Sequence, residues 1–417
     1  MGGQRVRTAG STGARSKAPK PAWLLGPAMV AGVAYLDPGN VAANMSAGAQ
    51  FGYLLVWVLV LANVAAWLIQ YTSAKLGLAT GSSMAEILGE RITSRPGRIL
   101  YGMQAQFVAI ATDVAEVIGG AVALWIMFDV PLIAGAILTG TVSTVLLLVQ
   151  SARGAKTFEF VIIGFIVVIA IGFGYGLFLA PPAAGDVLGG LVPRFDGASS
   201  VLLAASILGA TVMPHAISAH SSLTRDRFGG SVLPPERLKR ATRVDVTVAL
   251  GIAGSVNLAM LLVAATVLPG VPGTESLEGA HEAIHNSLGA TAGMLFAVAL
   301  LASGLASTAV GAYAGSDILG GLFRAKLKTL TRRLMTIIPA VLILATGIDP
   351  TLALVLSQVV LSFGIPFAVV PLMWLASRKQ LMGEYVNSRG ITIAGWIVTA
   401  GIIALNVGLV VIELASL

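Results

Sequence analysis

Long apolar runs, separated by short polar or Pro/Gly-rich connections, follow one another along the whole chain. Placing boundaries where polarity returns predicts helices over 23–47, 53–78, 98–128, 131–152, 157–180, 199–223, 242–268, 288–320, 333–348, 350–377 and 391–415. The expectation is an all-α integral membrane protein with eleven transmembrane helices. Two of the runs are interrupted. In the first, Ala34-Tyr35-Leu36-Asp37-Pro38-Gly39-Asn40 sets a carboxylate, a carboxamide and two helix breakers in the middle of an apolar segment. In the sixth, Ala210-Thr211-Val212-Met213-Pro214-His215 interrupts at the matching place. Proline removes a backbone donor and glycine loosens the turn, so carbonyls near Ala34 and Ala210 lose their intrahelical partners. Five helices lie between the two starts, so the second unit begins from the opposite face, as in an inverted-topology repeat. The organisation predicted is a disordered cytoplasmic tail (1–22), a first repeat of helices one to five (23–180), a second of helices six to ten (199–377) and an additional helix (391–415).

Composition supports lipid as the surroundings. Of 417 residues, 56% are hydrophobic and 11% charged, and mean hydropathy is +0.88, whereas a soluble domain carries about 25% charged residues. The 49 glycines suit helices packed closely through small residues. With no cysteine, disulfides, thiolate ligands and cysteine nucleophiles are excluded. The first 20 residues are small, polar and basic, without the apolar core of a signal peptide. Charge then sets orientation. Of the 26 lysines and arginines, all but Arg194 fall on the side of the predicted bundle that also holds the amino terminus. That side is cytoplasmic by the positive-inside rule, which places the carboxy terminus outside a multi-pass protein of the plasma or bacterial inner membrane. The net charge of +7 is this same bias and requires no nucleic acid.

The polar groups inside the apolar runs carry the chemistry. An Asp at bilayer depth costs about 2.5–3.5 kcal/mol on insertion scales, so Asp37 is a functional residue by default, against the alternative of a proline kink satisfied by a neighbour. Asp37 offers a carboxylate, Asn40 an amide oxygen, Met213 a thioether, and unwound backbone at Ala34 and Ala210 offers carbonyls. Oxygens alone suit calcium or magnesium; a polarizable sulfur tilts the set towards manganese, iron, cobalt or cadmium. Asp113 and Glu116 share a face of the third helix one turn apart. His215 and His220 follow the second break, and Arg332 and Arg333 open the ninth helix. Together these form a candidate proton relay, the alternative being ion pairs that hold helices together.

Asp37-Pro38-Gly39-Asn40 with Met213-Pro214-His215 resembles the paired signatures of the Nramp divalent metal transporters. Ala111-Thr112-Asp113-Val114-Ala115-Glu116 in the third helix and Ser357-Gln358 in the tenth extend that resemblance over essentially the whole chain. The resemblance implies a LeuT-type fold with broken helices 1 and 6, and proton-coupled uptake of Mn²⁺, Fe²⁺ and related ions such as Co²⁺ and Cd²⁺ by alternating access. It implies that Asp37, Asn40, Met213 and the carbonyls of Ala34 and Ala210 bind metal, joined by Gln358 in one conformational state. It also implies that Asp37, Asp113, Glu116, His215, Arg332 and Arg333 serve the proton pathway, with Pro38, Gly39 and Pro214 as the helix breaks. One position departs from the family pattern. Where that pattern reads Gln-Ala-Glu, the chain reads Gln104-Ala105-Gln106, and a neutral amide weakens any ion pair towards the ninth-helix arginines.

Other classes fit less well. A Na⁺-coupled organic-solute transporter of the same fold would present helix N-termini to an anionic substrate, which Asp37 opposes. A channel would need polar rings along a continuous pore. An uncoupled metal uniporter shares every feature but the relay. His281-Glu282-Ala283-Ile284-His285 matches the metalloprotease pattern His-Glu-x-x-His, but it precedes the eighth helix outside the membrane with no catalytic domain around it. The expected partners are a divalent metal as substrate, protons and the lipid bilayer, with no resident cofactor, no enzymatic activity and a monomeric state.

Overall fold

The computed structural model describes residues 26–153, 155–229, 233–325 and 329–416, without side chains at 146–153, 155–157, 329, 330, 332, 413, 415 and 416. The tail 1–22 and the Arg332 side chain therefore lie outside the described residues. The described chain is helical throughout. The first predicted run divides into α1 (Pro27–Val33), a 3₁₀ turn (Ala34–Leu36) and α2 (Pro38–Phe51). Next come α3 (Val56–Thr80), α4 (Met84–Arg91), α5 (Arg95–Phe128), α6 (Leu132–Arg153), α7 (Ala155–Leu179) and α8 (Ala184–Gly189). The sixth run divides into α9 (Gly197–Thr211) and α10 (Pro214–Phe228). The rest is α11 (Pro235–Val267), α12 (Leu277–Leu288), α13 (Ala290–Ile318), α14 (Thr329–Ala345), α15 (Pro350–Ala376), α16 (Lys379–Met382) and α17 (Arg389–Ser416).

Eight of the described segments are long and apolar enough to cross a membrane. Those over 27–36, 132–145 and 333–345 are apolar but shorter, so length alone does not establish eleven crossings. The connections hold structure that hydropathy passes over. In α4, Ser83 accepts from the Glu86 amide while the Glu86 carboxylate accepts from the Ser83 amide, a reciprocal cap. In α12 the buried Leu277, Ala280, Ala283 and Ile284 repeat at helical spacing, a short amphipathic signal.

The bundle is inverted relative to a soluble protein. Phe160, Phe178, Leu61, Ile397 and Leu414 stand exposed on its outside, as lipid-facing side chains do, while α5 and the α9–α10 pair are the most enclosed spans. Asp37, Asn40, Gln70, Glu116, His215, His220, Asn257 and Gln358 are all buried inside. Small residues bring α5 and α13 together. On α13, Gly304 abuts the Glu116 carbonyl, and a side chain at Gly311 would meet the Asp113 and Glu116 carboxylates, at 2.5 and 3.1 Å from its Cβ.

Candidate metal site

Both breaks use one backbone solution. Asp37 (φ −72°, ψ 165°) and Met213 (φ −72°, ψ 120°) are extended residues, each followed by a proline that opens the next helix, where its missing N–H costs nothing. Asp37 caps α2 with its own carboxylate: Oδ1 accepts from the Asn40 amide at 2.8 Å and from Asn40 Nδ2 at 2.7 Å. Asn40 Nδ2 also donates to the Ala210 carbonyl at 2.8 Å. That carboxamide ties the two breaks together.

Gln358 of α15 closes the junction. Its Nε2 donates to Asp37 Oδ2 at 3.2 Å. A Cβ on Gly39 would stand 1.6 Å from that same Nε2, and one on Gly209 would stand 1.8 Å from the Gln358 carbonyl, so one residue of α15 presses on both breaks through glycines. On the third side the Pro38 ring packs against Gly119 of α5, where a Cβ would come within 2.0 Å of the ring. The freed carbonyls have cross-chain donors. Asn257 Nδ2 of α11 donates to the Tyr35 carbonyl at 2.8 Å, and the Ser303 hydroxyl of α13 donates to that of Leu36.

Asp37, Asn40, Ala34, Ala210, Met213 and Gln358 are all buried. Asn40 Oδ1, Gln358 Oε1 and the Thr211 hydroxyl have no hydrogen-bond partner among the described residues. Buried acceptors without donors are rare and call for a cation or a water. The two amides thus turn nitrogen towards the carboxylate and keep an oxygen in reserve. A dication at Asp37 would displace the amide N–H groups and draw those oxygens towards itself. No cluster of three His, Cys, Asp or Glu suited to a metal occurs among the described residues, so a site here depends on amides, carbonyls and the thioether.

The relay residues divide into two groups. His215 Nδ1 lies 3.2 Å from the Thr112 hydroxyl of α5, which also lies 3.0 Å from the Val108 carbonyl. His220 turns instead to α3. Its Nδ1 lies 2.7 Å from Gln70 Oε1, and Gln70 Nε2 donates to the Tyr35 hydroxyl beside the first break. In both histidines Nε2 lacks a hydrogen-bond partner among the described residues. Asp113 and Glu116 lie against α13 at Gly311; one turn away, Arg333 Nη2 donates to the Thr308 carbonyl at 3.3 Å. Gln106 follows on the same side, its Nε2 3.9 Å from a Cβ position at Gly315. His215, Gln104 and Ser218 line a cavity of about 30 Å³ between α5, α10 and α15.

Gln70, Asn257 and Ser303, together with the side chains of Tyr35 and Thr112, take part in this network without any motif that assigns them a role. Each is a polar side chain in an apolar run, which was the available signal. The His281-Glu282-Ala283-Ile284-His285 stretch lies on α12, its imidazole centroids 6.3 Å apart. Burial, aided by the neighbouring His285, pulls His281 below the ordinary imidazole range.

Residues 28–412 match the Nramp family, described as natural resistance-associated macrophage protein-like. A divalent metal cation transporter MntH of Mycobacterium tuberculosis is 58% identical over 94% of this chain and 92% of that protein. A manganese transporter of Eremococcus coleocola, solved with an aromatic bis-isothiourea compound, superposes with a TM-score of 0.82 at 28% identity, covering 94% of this chain and 88% of that one. Mhp1, a nucleobase-cation-symport-1 family transporter in a closed conformation, shares the fold at a TM-score of 0.60 and 15% identity, covering 93% and 92%.

Proposed function

Because the chain belongs to the Nramp family of divalent metal cation transporters, we propose that it imports Mn²⁺ and Fe²⁺, and with them Co²⁺ and Cd²⁺, coupled to protons. It is a multi-pass membrane transporter and not an enzyme. Eleven crossings in two five-helix repeats, a cytoplasmic amino terminus, an external carboxy terminus and a monomer in the plasma or inner membrane complete the reading.

The observation that carries it is the Asn40 bridge from Asp37 to the Ala210 carbonyl, ringed by amide and hydroxyl oxygens without donors. Asp37 supplies the anionic ligand, Met213 the soft one that favours transition metals over Mg²⁺, and Asn40, Gln358, Ala34 and Ala210 neutral oxygens. Metal and proton compete for Asp37, so metal entry sends a proton towards Asp113, Glu116 and Arg333 or towards His215. Rotation of the helix halves about the two breaks opens the buried site to each side in turn.

Reconstituted protein in liposomes carrying an internal pH dye provides the test. Mn²⁺ entry with internal acidification is the expected result. Mn²⁺ entry without acidification would leave an uncoupled uniporter, and Na⁺-driven solute uptake without metal uptake would refute the assignment. Calorimetry should give much tighter binding of Mn²⁺ than of Mg²⁺.

A further inference from the structure

Away from the breaks, where α3 ends and α11 begins, two cations meet without a counter-ion among the described residues. Lys75 of α3 is 3% exposed. Its ammonium donates to Asn387 Oδ1 and stands 5.0 Å from the centre of the Tyr71 ring. The Arg243 guanidinium of α11 approaches the same ring at 5.5 Å. Neither cation has a carboxylate within ion-pair distance among the described residues. The nearby Lys239 is paired with Glu236 and reaches the Glu384 carbonyl at 3.3 Å, beside the Tyr385 ring. The amino-terminal tail contains no acidic residue that could serve instead. Asn387, 8% exposed and anchored through its amide to the Ala376 carbonyl at 3.1 Å, has no partner for its Nδ2.

Burying an ammonium without a counter-ion is costly, a second cation on the same ring adds repulsion, and cation–π contact offsets only part of that cost. The group that would satisfy this corner is an anion accepting from Lys75 Nζ, Asn387 Nδ2 and the Arg243 fork. Phosphate oxygens do this. The surroundings indicate where the phosphate comes from. Trp67 stacks on Tyr71 at 5.5 Å, an aromatic pair of the kind found at headgroup level. Arg243 is exposed, and Val244 and Val248 beyond it on α11 are 46% and 43% exposed, an apolar track for acyl chains.

We propose that Lys75, Arg243 and Asn387 form a binding site for the phosphate of an anionic phospholipid, in the leaflet on the basic side of the bundle. The proposal is independent of the metal and proton assignments. Native mass spectrometry of the full chain, purified and re-lipidated with either phosphatidylglycerol or phosphatidylcholine, tests it. Phosphatidylglycerol should be retained several-fold more than phosphatidylcholine. Lys75→Gln and Arg243→Gln should each abolish that preference, while Arg98→Gln at a distant basic position should keep it. Arg243 is exposed, so its variant decides the matter even if Lys75→Gln fails to fold. Equal retention of the two lipids, preference unchanged in Arg243→Gln, or displacement of the lipid by inorganic phosphate alone would overturn the proposal, the last by showing a free-anion site.

Discussion

The two helix breaks have nearly the same backbone and opposite chemistry. At the first, the residue before proline is Asp37, whose carboxylate takes donors from Asn40 and Gln358, while the carbonyls of Tyr35 and Leu36 are held by Asn257 and Ser303. At the second, the residue before proline is Met213, which makes no side-chain cap, and the Ala210 carbonyl takes its donor from Asn40 of the other break. Interrupting a helix therefore needs only an extended residue and a proline. What the break then does depends on the side chain at that one position. A carboxylate must be surrounded by donors to survive burial, and here Gln358 locks it to α15, while the carbonyls freed beside it lock the same break to α11 and α13. A thioether needs none, which leaves the second break lightly tied. We expect the first to act as the fixed anchor for charge and the second as the tuner of selectivity.

Experiments can break this contrast. Asp37→Asn should lower uptake of every divalent metal by more than about 100-fold in proteoliposomes, beyond the loss typical of outer-shell changes; comparable loss in Met213→Ala would erase the distinction. Gly209→Ala and Gly39→Ala come next. The first forces a methyl onto a Gln358 backbone carbonyl that cannot move aside and should cost about 1–3 kcal/mol in thermal denaturation. The second meets the Gln358 side chain, which can rotate away where a backbone carbonyl cannot, so stability should fall less while metal affinity drops. Met213→Ala should keep Mn²⁺ transport measurable but reduce its advantage over Mg²⁺ several-fold in competition assays. The smallest effect belongs to Thr112→Val. It removes the His215 contact at a cost of about 0.5–1.5 kcal/mol, and metal affinity should hardly change if the second break is loosely tied.

Much of this site was legible along the chain. Asp37, Asn40 and Met213 stand beside prolines in runs otherwise fit for lipid, and both the breakers and the polar groups are local signals. Asn257 and Ser303 were equally polar and equally intramembrane, yet nothing adjacent in sequence said what they would face. His220 illustrates the same limit. Five residues along a helix turn a side chain to a different face, and only the packing says that His215 meets Thr112 of α5 while His220 meets Gln70 of α3. The short helices α4, α8 and α12 leave no mark in hydropathy windows suited to membrane spans, which average across them.

Hydropathy, proline placement and the distribution of lysine and arginine were enough to place this chain in a membrane, mark the two interruptions and single out Asp37, Asn40 and Met213 as candidate ligands. These properties belong to single segments, because in lipid each helix must satisfy its own backbone wherever its neighbours lie. Tertiary structure alone decided that Asn40 bridges to the Ala210 carbonyl, that Gln358 presses on Gly39 and Gly209 together, and that Lys75 shares Tyr71 with Arg243. Such contacts join segments far apart in the chain, and they depend on helix rotation and register. Those are set by close packing of small residues, which the order of amino acids along any one helix does not encode.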